Sequence, residues 1–436
     1  MDNQASLLGA VGINHNPSTI MHIDLNSCFA TIEQQANPLL RGKPIAVAAY
    51  TTENGCIVAP SVEAKALGIK CGMPVREGRQ LCADLLVLPP DPCKYRFINR
   101  KLLQLFRVYS TNVEVKSIDE MNLNLGHSIS LKRGLHVIGG EIKEAIRREI
   151  GEWMTVSVGI APNRFLAKLA ANLHKPDGLD EINATNLRTI LADMELTDLF
   201  GIKRRNKARL FRVGIYTPMD MLDASPQFLM AAFESIVGYY WHLRLRGWEI
   251  DDVDFERKSI GHSHALKNQR AGPAEIARLL CKLTEKMGGR MRRLGYAAKG
   301  VYMAFLYTDN THWHKRAMTS TPLFDSNEIY KRVMQLYAAA PQGKPVHSLS
   351  VSCYGLVKEP LHQLSLLEDV QKKRDLTNAL DAINERWGDF TITPAAMMGM
   401  EDTILDRIAF GGVKDLEEIV YQDETPDPRA VHCTSS

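Results

Sequence analysis

Along the first 185 residues, short apolar runs alternate with stretches of helical spacing. "IMHIDL" (20–25), "KPIAVAAY" (43–50), "GCIVAP" (55–60) and "WMTVSVGIA" (153–161) have the length and composition of buried strands. Between them, "NSCFATIEQQANP" predicts a helix with Asn26 or Ser27 as N-cap and Pro38 as its stop. "SVEAKALG", residues 92–110, residues 131–150 and "NRFLAKLAANLHKPDG" predict further helices. Strands alternating with helices imply an α/β or α+β layer. Residues 186–250 read as nearly all helical. Residues 258–356 read strand, helix, strand, strand, helix, strand, the split βαβ arrangement. The end, "YQDETPDPRAVHCTSS", has the composition of a disordered tail.

One stretch breaks the apolar pattern. In "VEVKSIDEMNLNL", period 2 places Val113, Val115, Ser117, Asp119, Met121, Leu123 and Leu125 on one face. A carboxylate in the middle of an apolar face needs a compensating cation. Asp24, in "IMHIDLN", is a second acid in an apolar strand, and Glu120 follows Asp119 directly. For either acid alone, bonding to a turn backbone is the plainer reading. Together they suggest a shared hard-cation site suited to Mg²⁺ or Mn²⁺. Neighbours on a regular strand point oppositely, so Asp119 and Glu120 can share a site only if the chain turns there.

Composition narrows the class. At 436 residues, 45% hydrophobic and 24% charged, the chain has room for two to four ordinary globular domains. No apolar run reaches the roughly 18–20 residues of a membrane span, and the N-terminus lacks the basic start of a signal peptide. Eight cysteines stand singly with no CxxC pair, which argues against a zinc site or disulfide framework and for a reduced, cytoplasmic setting. The net charge of +3 hides an asymmetry. Residues 257–360 carry 17 Lys and Arg against 6 Asp and Glu, and residues 361–436 carry 7 against 15. A solvated face is the ordinary meaning of a charge run, but an excess this concentrated favours a nucleic acid partner.

"LTDLFGIKRRNKARLFRVGIYTPMDML" is similar to a helix-hairpin-helix, in which a glycine turn offers backbone N–H groups to a DNA phosphate. Gly201, Lys203, Arg204, Arg205 and Lys207 would then face DNA. A wider resemblance covers residues 20–390. "HIDLNSCFATIEQQANPLLRGKPIAV", "VEAKALGIKCGMPV", "YSTNVEVKSIDE", "SVGIAPNRFLAKLAANLHKPDG" and "KSIG" resemble, in order and spacing, the landmarks of Y-family translesion DNA polymerases.

That resemblance implies an α+β right-hand polymerase. The palm would span 20–27 and 82–185, the small fingers 28–81, and the helical thumb with its helix-hairpin-helix 186–250. A βαββαβ little finger would span 257–358, ahead of a tail at 359–436. It also implies two Mg²⁺ ions, replaceable by Mn²⁺, held by Asp24, the Leu25 carbonyl, Asp119 and Glu120. One would activate the primer 3′-OH and the other would clamp the incoming dNTP. Lys175 would reach the triphosphate, Phe29 would exclude a ribose 2′-OH, and small residues near Ala59 and Ser61 would press weakly on the nascent pair. Low fidelity, damage tolerance, primer–template DNA as partner and a monomeric state follow from the same likeness.

Two departures stand out. The family's "YEAR" is Val62-Glu63-Ala64-Lys65 here, so Lys65 offers a point charge without a bidentate fork. A second turn glycine is replaced by Lys203, so the turn must avoid positive φ there or accept strain. Beyond the basic module, Gln363-Leu364-Ser365-Leu366-Leu367 resembles the peptide that docks bacterial polymerases on the sliding clamp. Two other classes share parts of the pattern. One is a non-catalytic DNA- and clamp-binding relative, the other a nucleotide cyclase, which would have no use for the helix-hairpin-helix.

Overall fold

The computed structural model describes residue 9 and residues 11–253, 256–266, 268–358, 370–400, 403 and 404. The chain forms two compact units that divide after Val253.

The first unit opens with β1 (Ile20–Leu25), α1 (Cys28–Ala36), β2 (Ile45–Ala48), β3 (Ile57–Pro60), α2 (Val62–Ala66), α3 (Val75–Leu81) and β4 (Leu86–Leu88). Then come α4 (Pro92–Arg107), β5 (Asn112–Val115), β6 (Glu120–Asn124), α5 (Leu135–Glu149), β7 (Val156–Ala161), α6 (Arg164–Ala170) and β8 (Leu179–Glu181). A five-stranded sheet has the order β5-β6-β1-β7-β8, and a small sheet the order β3-β2-β4. In β1 the odd positions Met21, Ile23 and Leu25 join a core with Leu102, Phe106, Ile138 and Ile142 from α4 and α5. The even positions His22 and Asp24 therefore face the other side, where α6 packs. Gly159 of β7 permits that approach, since a Cβ there would come within 2.0 Å of the Ala167 carbonyl.

The segment from Val113 to Leu125 is not one strand. β5 and β6 form an antiparallel hairpin pairing Val115 with Met121. The Lys116 and Ser117 N–H groups both donate to the Glu120 carbonyl, at 2.9 and 3.1 Å. Asn99 of α4 donates to the Ile118 carbonyl and holds the turn from behind. Asp119 thus sits in a turn and Glu120 begins the next strand. Period-2 counting holds for Val113, Val115, Met121, Leu123 and Leu125, which all meet one core, and fails only at Ser117 and Asp119, because Lys116 to Asp119 form the turn.

Between residues 187 and 245 this unit is mainly helical: α7 (Leu187–Ala192), α8 (Arg204–Arg212), α9 (Pro218–Asp223), α10 (Pro226–Phe233) and α11 (Val237–Leu245). Gly201 takes φ +97°, while Lys203 is extended at φ −118°, ψ −175°. One glycine suffices, and Lys203 avoids strain.

The second unit has β9 (Ser259–Ala265), α12 (Pro273–Arg293), β10 (Tyr296–Tyr307), β11 (His312–Leu323), α13 (Ser326–Tyr337) and β12 (Val346–Lys358), with sheet order β11-β10-β12-β9. This is the split βαβ pattern. Leu283, Met287 and Val333 of the two helices meet Val301, Met303 and Val351 of the sheet. Beyond it, α14 (Val370–Trp387) and the residues to Met400 fold back on α12. Arg292 holds Asp381 through two bonds of 2.6 and 2.7 Å. Arg278 donates to the carbonyls of Ala396 and Met398, Lys282 to that of Met400 and Lys286 to that of Ile404. Four of the module's cations are therefore engaged by the C-terminal segment. The peptide Gln363 to Leu367 lies outside the described residues.

Candidate active site

The β1–β6 register sets Asp24 directly opposite Glu120, and His22 opposite Asn122. Directly opposed residues share a face, so both acids stand on the side roofed by α6. The Leu25 N–H donates to the Asp119 carbonyl at 2.9 Å, fixing the turn beside the end of β1. Ser117 Oγ donates to the Asp119 carboxylate. The three sequence-predicted acids are thus brought to one end of the sheet.

Their compensating charges are lysines. Lys175 Nζ donates to Asp24 Oδ2 at 2.6 Å, and Lys168 Nζ, from α6, donates to Glu120 Oε2 at 2.5 Å. Lys65 belongs to the same electrostatic neighbourhood: desolvation, then the repulsion of Lys175, lower its ammonium below the usual lysine range. Asn26 Oδ1 accepts from the Asp177 N–H at 2.8 Å and so anchors the Lys-Pro-Asp-Gly turn that carries Lys175. Lys168 was not singled out in the sequence. Its signal was a cation inside the apolar run "FLAKLA" of α6.

Burial dominates the electrostatics. It pushes the Asp24 carboxyl up to about 6 against the pull of Lys175, with Glu120 and Asp119 pushing it further. Burial also raises Asp119 despite the Ser117 hydroxyl. Glu120 is pushed up by burial as well, but the charges of Lys168 and Lys175 hold it below the usual range. Desolvation lowers His22 to about 4, so its imidazole is neutral at pH 7.

The donor set suits a hard or borderline divalent ion. His22, Asp24 and Glu120 each present one ligand atom, and these atoms lie within 4.8 Å of one another. The Asp119 carboxylate is outside that trio in this arrangement, bonded to Ser117. The buried His22 Nε2, 3.8 Å from Glu120 Oε2, has no hydrogen-bond partner. Carboxylates held by ammonium groups next to an orphaned ring nitrogen fit a place built for added positive charge.

The other predicted residues distribute as follows. Phe29 stacks on Tyr95 with centroids 4.4 Å apart, and the Tyr95 hydroxyl bonds Glu33. Ser61 is fully buried and does not line the site. Its Oγ caps α2 by accepting from the Ala64 N–H and also accepts from the Ile45 N–H, both at 3.2 Å. Val62 is exposed at the start of α2. Lys203, Arg204 and Arg205 are exposed around the Gly201 turn, and Lys207 lies 5.5 Å from the centre of the Phe211 ring.

An acid-lined palm sheet with small fingers, a helical thumb and a split βαβ module defines a nucleic acid polymerase of the right-hand type. The family models match residues 23–172 (impB/mucB/samB family) and 257–366 (impB/mucB/samB family C-terminal domain). The chain is 33% identical over 395 residues to DNA polymerase IV of Pelotomaculum thermopropionicum, covering 89% of this chain and 97% of that protein. It is 29% identical over 414 residues to DNA polymerase IV 1 of Bacillus subtilis, covering 93% and 98%. Among solved structures, a Y-family DNA polymerase chimera of Dbh and Dpo4 superposes with a TM-score of 0.68 at 23% identity, covering 78% of this chain and 99% of that one. The chain belongs to the impB/mucB/samB family and is a Y-family DNA polymerase.

Proposed function

We propose that this polymerase adds dNTPs to a primer 3′-OH opposite damaged as well as intact template, with low fidelity, at the site formed by Asp24, Asp119 and Glu120. The supporting observation is the opposition of Asp24 and Glu120 across β1–β6, each held by a lysine, with Asp119 on the adjoining turn. Asp24, the Leu25 carbonyl, Asp119 and Glu120 would hold two divalent ions, Mg²⁺ or Mn²⁺. When bound, these supply Lewis-acid stabilisation of charge on the phosphate and on the attacking and leaving oxygens. The protein's own groups bind and orient. Lys175, now on Asp24, would turn to the triphosphate and contribute a point charge there. Lys65 adds a second charge. Phe29, fixed by its stack on Tyr95, presents a rigid ring to the sugar and disfavours a 2′-OH.

The supporting modules follow the same reading. The turn at Gly201 and the basic start of α8, with Lys203, Arg204, Arg205 and Lys207, hold duplex phosphates. Residues 363–367 dock on a sliding clamp, and the enzyme works as a monomer. The domain limits are those given above: palm 20–27 and 82–185, fingers 28–81, thumb 186–250, little finger 257–358. Primer extension with Mg²⁺ on undamaged and abasic templates, with Glu120→Ala alongside, tests this. Extension by the parent alone is expected. Extension by both proteins would refute the assignment of Glu120, and extension by neither would favour a DNA-binding relative without chemistry.

A further inference from the structure

His22 is 1% exposed and sits two residues before Asp24 on the same face of β1. Its Nδ1 lies 2.6 Å from Asn122 Oδ1. The amide oxygen can only accept, so Nδ1 carries the proton and Nε2 is left with a lone pair. That lone pair faces Glu120 Oε2 at 3.8 Å, and Nε2 has no hydrogen-bond partner. Two acceptors facing each other in a desolvated site repel unless positive charge lies between them. Asn122 holds the ring in this orientation much as a supporting carbonyl or carboxylate orients a metal-ligating histidine.

From this arrangement we infer that His22 Nε2 is a nitrogen ligand to the divalent ion shared by Asp24 and Glu120, making this a mixed imidazole–carboxylate site for a transition ion such as Mn²⁺. The inference rests on the metal-ion reading of the acid cluster and adds an element that the carboxylates alone do not imply. Imidazole is a better donor to first-row transition ions than to Mg²⁺, which favours all-oxygen coordination. The site therefore prefers Mn²⁺ over Mg²⁺ by more than carboxylates would dictate. Lys168, now on Glu120 Oε2, would have to leave that oxygen for it to serve as a ligand.

The test is Mn²⁺ binding by the full-length protein without nucleotide or DNA. Free Mn²⁺ is titrated by electron paramagnetic resonance, and pulsed measurements on the bound ion detect directly coordinated ¹⁴N. The parent should show imidazole ¹⁴N coupling, which His22→Phe should lose, with Mn²⁺ affinity falling about 10-fold and Mg²⁺ affinity changing much less. Asn122→Leu, which keeps the ring but frees it, should weaken Mn²⁺ binding in the same direction. Bound Mn²⁺ without nitrogen coupling in the parent overturns the inference while leaving the carboxylate site intact. Mn²⁺ binding undiminished in Asp24→Asn would overturn the metal assignment itself and this inference with it. Absence of coupling in the parent overturns the inference whether or not a variant folds, and its presence is assigned to His22 by the His22→Phe and Asn122→Leu variants together.

Discussion

The five-stranded sheet and the four-stranded sheet each bury one face under two helices, but they use their other faces differently. On the five-stranded sheet the second face is roofed by α6, and Asp24 and His22 are almost wholly buried there. Each charge must be matched locally, and the pairs Asp24–Lys175 and Glu120–Lys168 do so. On the four-stranded sheet the second face is partly exposed. Ser263 pairs with Ser350, Ser352 with Tyr302, and Tyr302 with Arg316. Ser263 and Arg316 there are exposed, and the Tyr354 hydroxyl bonds only a backbone carbonyl, that of Ala317. The first arrangement suits chemistry, where one group decides the outcome. The second suits a polyanion, held by many small terms.

That contrast predicts its largest effect at the acids. Asp119→Ala should lower nucleotide incorporation by at least about 10³-fold, because neighbouring groups cannot replace a desolvated ligand. DNA affinity should change less than about twofold, since phosphate contacts dominate it. Single-turnover extension beside fluorescence anisotropy on the same primer–template reads both. Retained incorporation would remove Asp119 from the site.

The two lysines separate next. If Lys175 transfers to the triphosphate, Lys175→Met should raise KM for dNTP about 10- to 100-fold, the worth of one charge-assisted contact. Lys168→Met removes a competitor for Glu120, so it should leave that KM nearly unchanged and lower the metal concentration needed for half-maximal extension. Equal effects from the two substitutions would mean that both only neutralise the acids. Phe29→Ala should reduce dNTP over rNTP selectivity about 10- to 200-fold. Phe29→Leu, which keeps most of the packing against Tyr95, is the control for lost core stability.

The two regions also differed in how far they could be read from sequence. Asp24 and Asp119 were legible because carboxylates among apolar strand positions violate the local pattern, and Glu120 because it follows Asp119. Lys175 was reached only through the likeness of its Lys-Pro-Asp-Gly block to the Y-family landmarks. His22 and Asn122 were not, since each alone resembles a satisfied core residue and only the β1–β6 register brings them together. Ser61 was misplaced for a related reason. A small residue ahead of a helix fits a roomy pocket or an N-cap equally well, and only the bond from Ala64 decides for the cap. In the second unit the split βαβ order was legible from periodicity, but the destination of its cations was not. Charge counting cannot distinguish Arg316 on the sheet from Arg292, whose guanidinium is committed to Asp381.

The commitment of Arg292 has its own consequence. Asp381→Ala should leave that guanidinium, 13% exposed, without its bidentate partner. The Phe324 carbonyl and Ser326 hydroxyl still accept from it, and Asp381 is itself 29% exposed. A loss of about 1–2 kcal/mol from the stability of the second unit is therefore expected, below the full cost of breaking a buried pair. Thermal melting reads it. A chain ended after residue 369 should be destabilised further, because Met397 and Met400 also leave the core. Clamp docking is therefore better tested by replacing residues 363–367 than by truncation.

The smallest effect belongs to the exposed sheet. Arg316 is exposed on β11, in register with the half-buried Tyr302 and, across β10, Ser352. If this face tracks a DNA backbone, Arg316→Ser removes one phosphate contact and one released counterion. The slope of log affinity against log salt should then fall by about 1, with affinity lowered only modestly and equally for unrelated sequences. Arg292→Ser should leave that slope unchanged, because Asp381 already occupies its charge. A slope that fell equally in both variants would mean that position on the sheet does not matter, and that the second unit binds through its total charge alone.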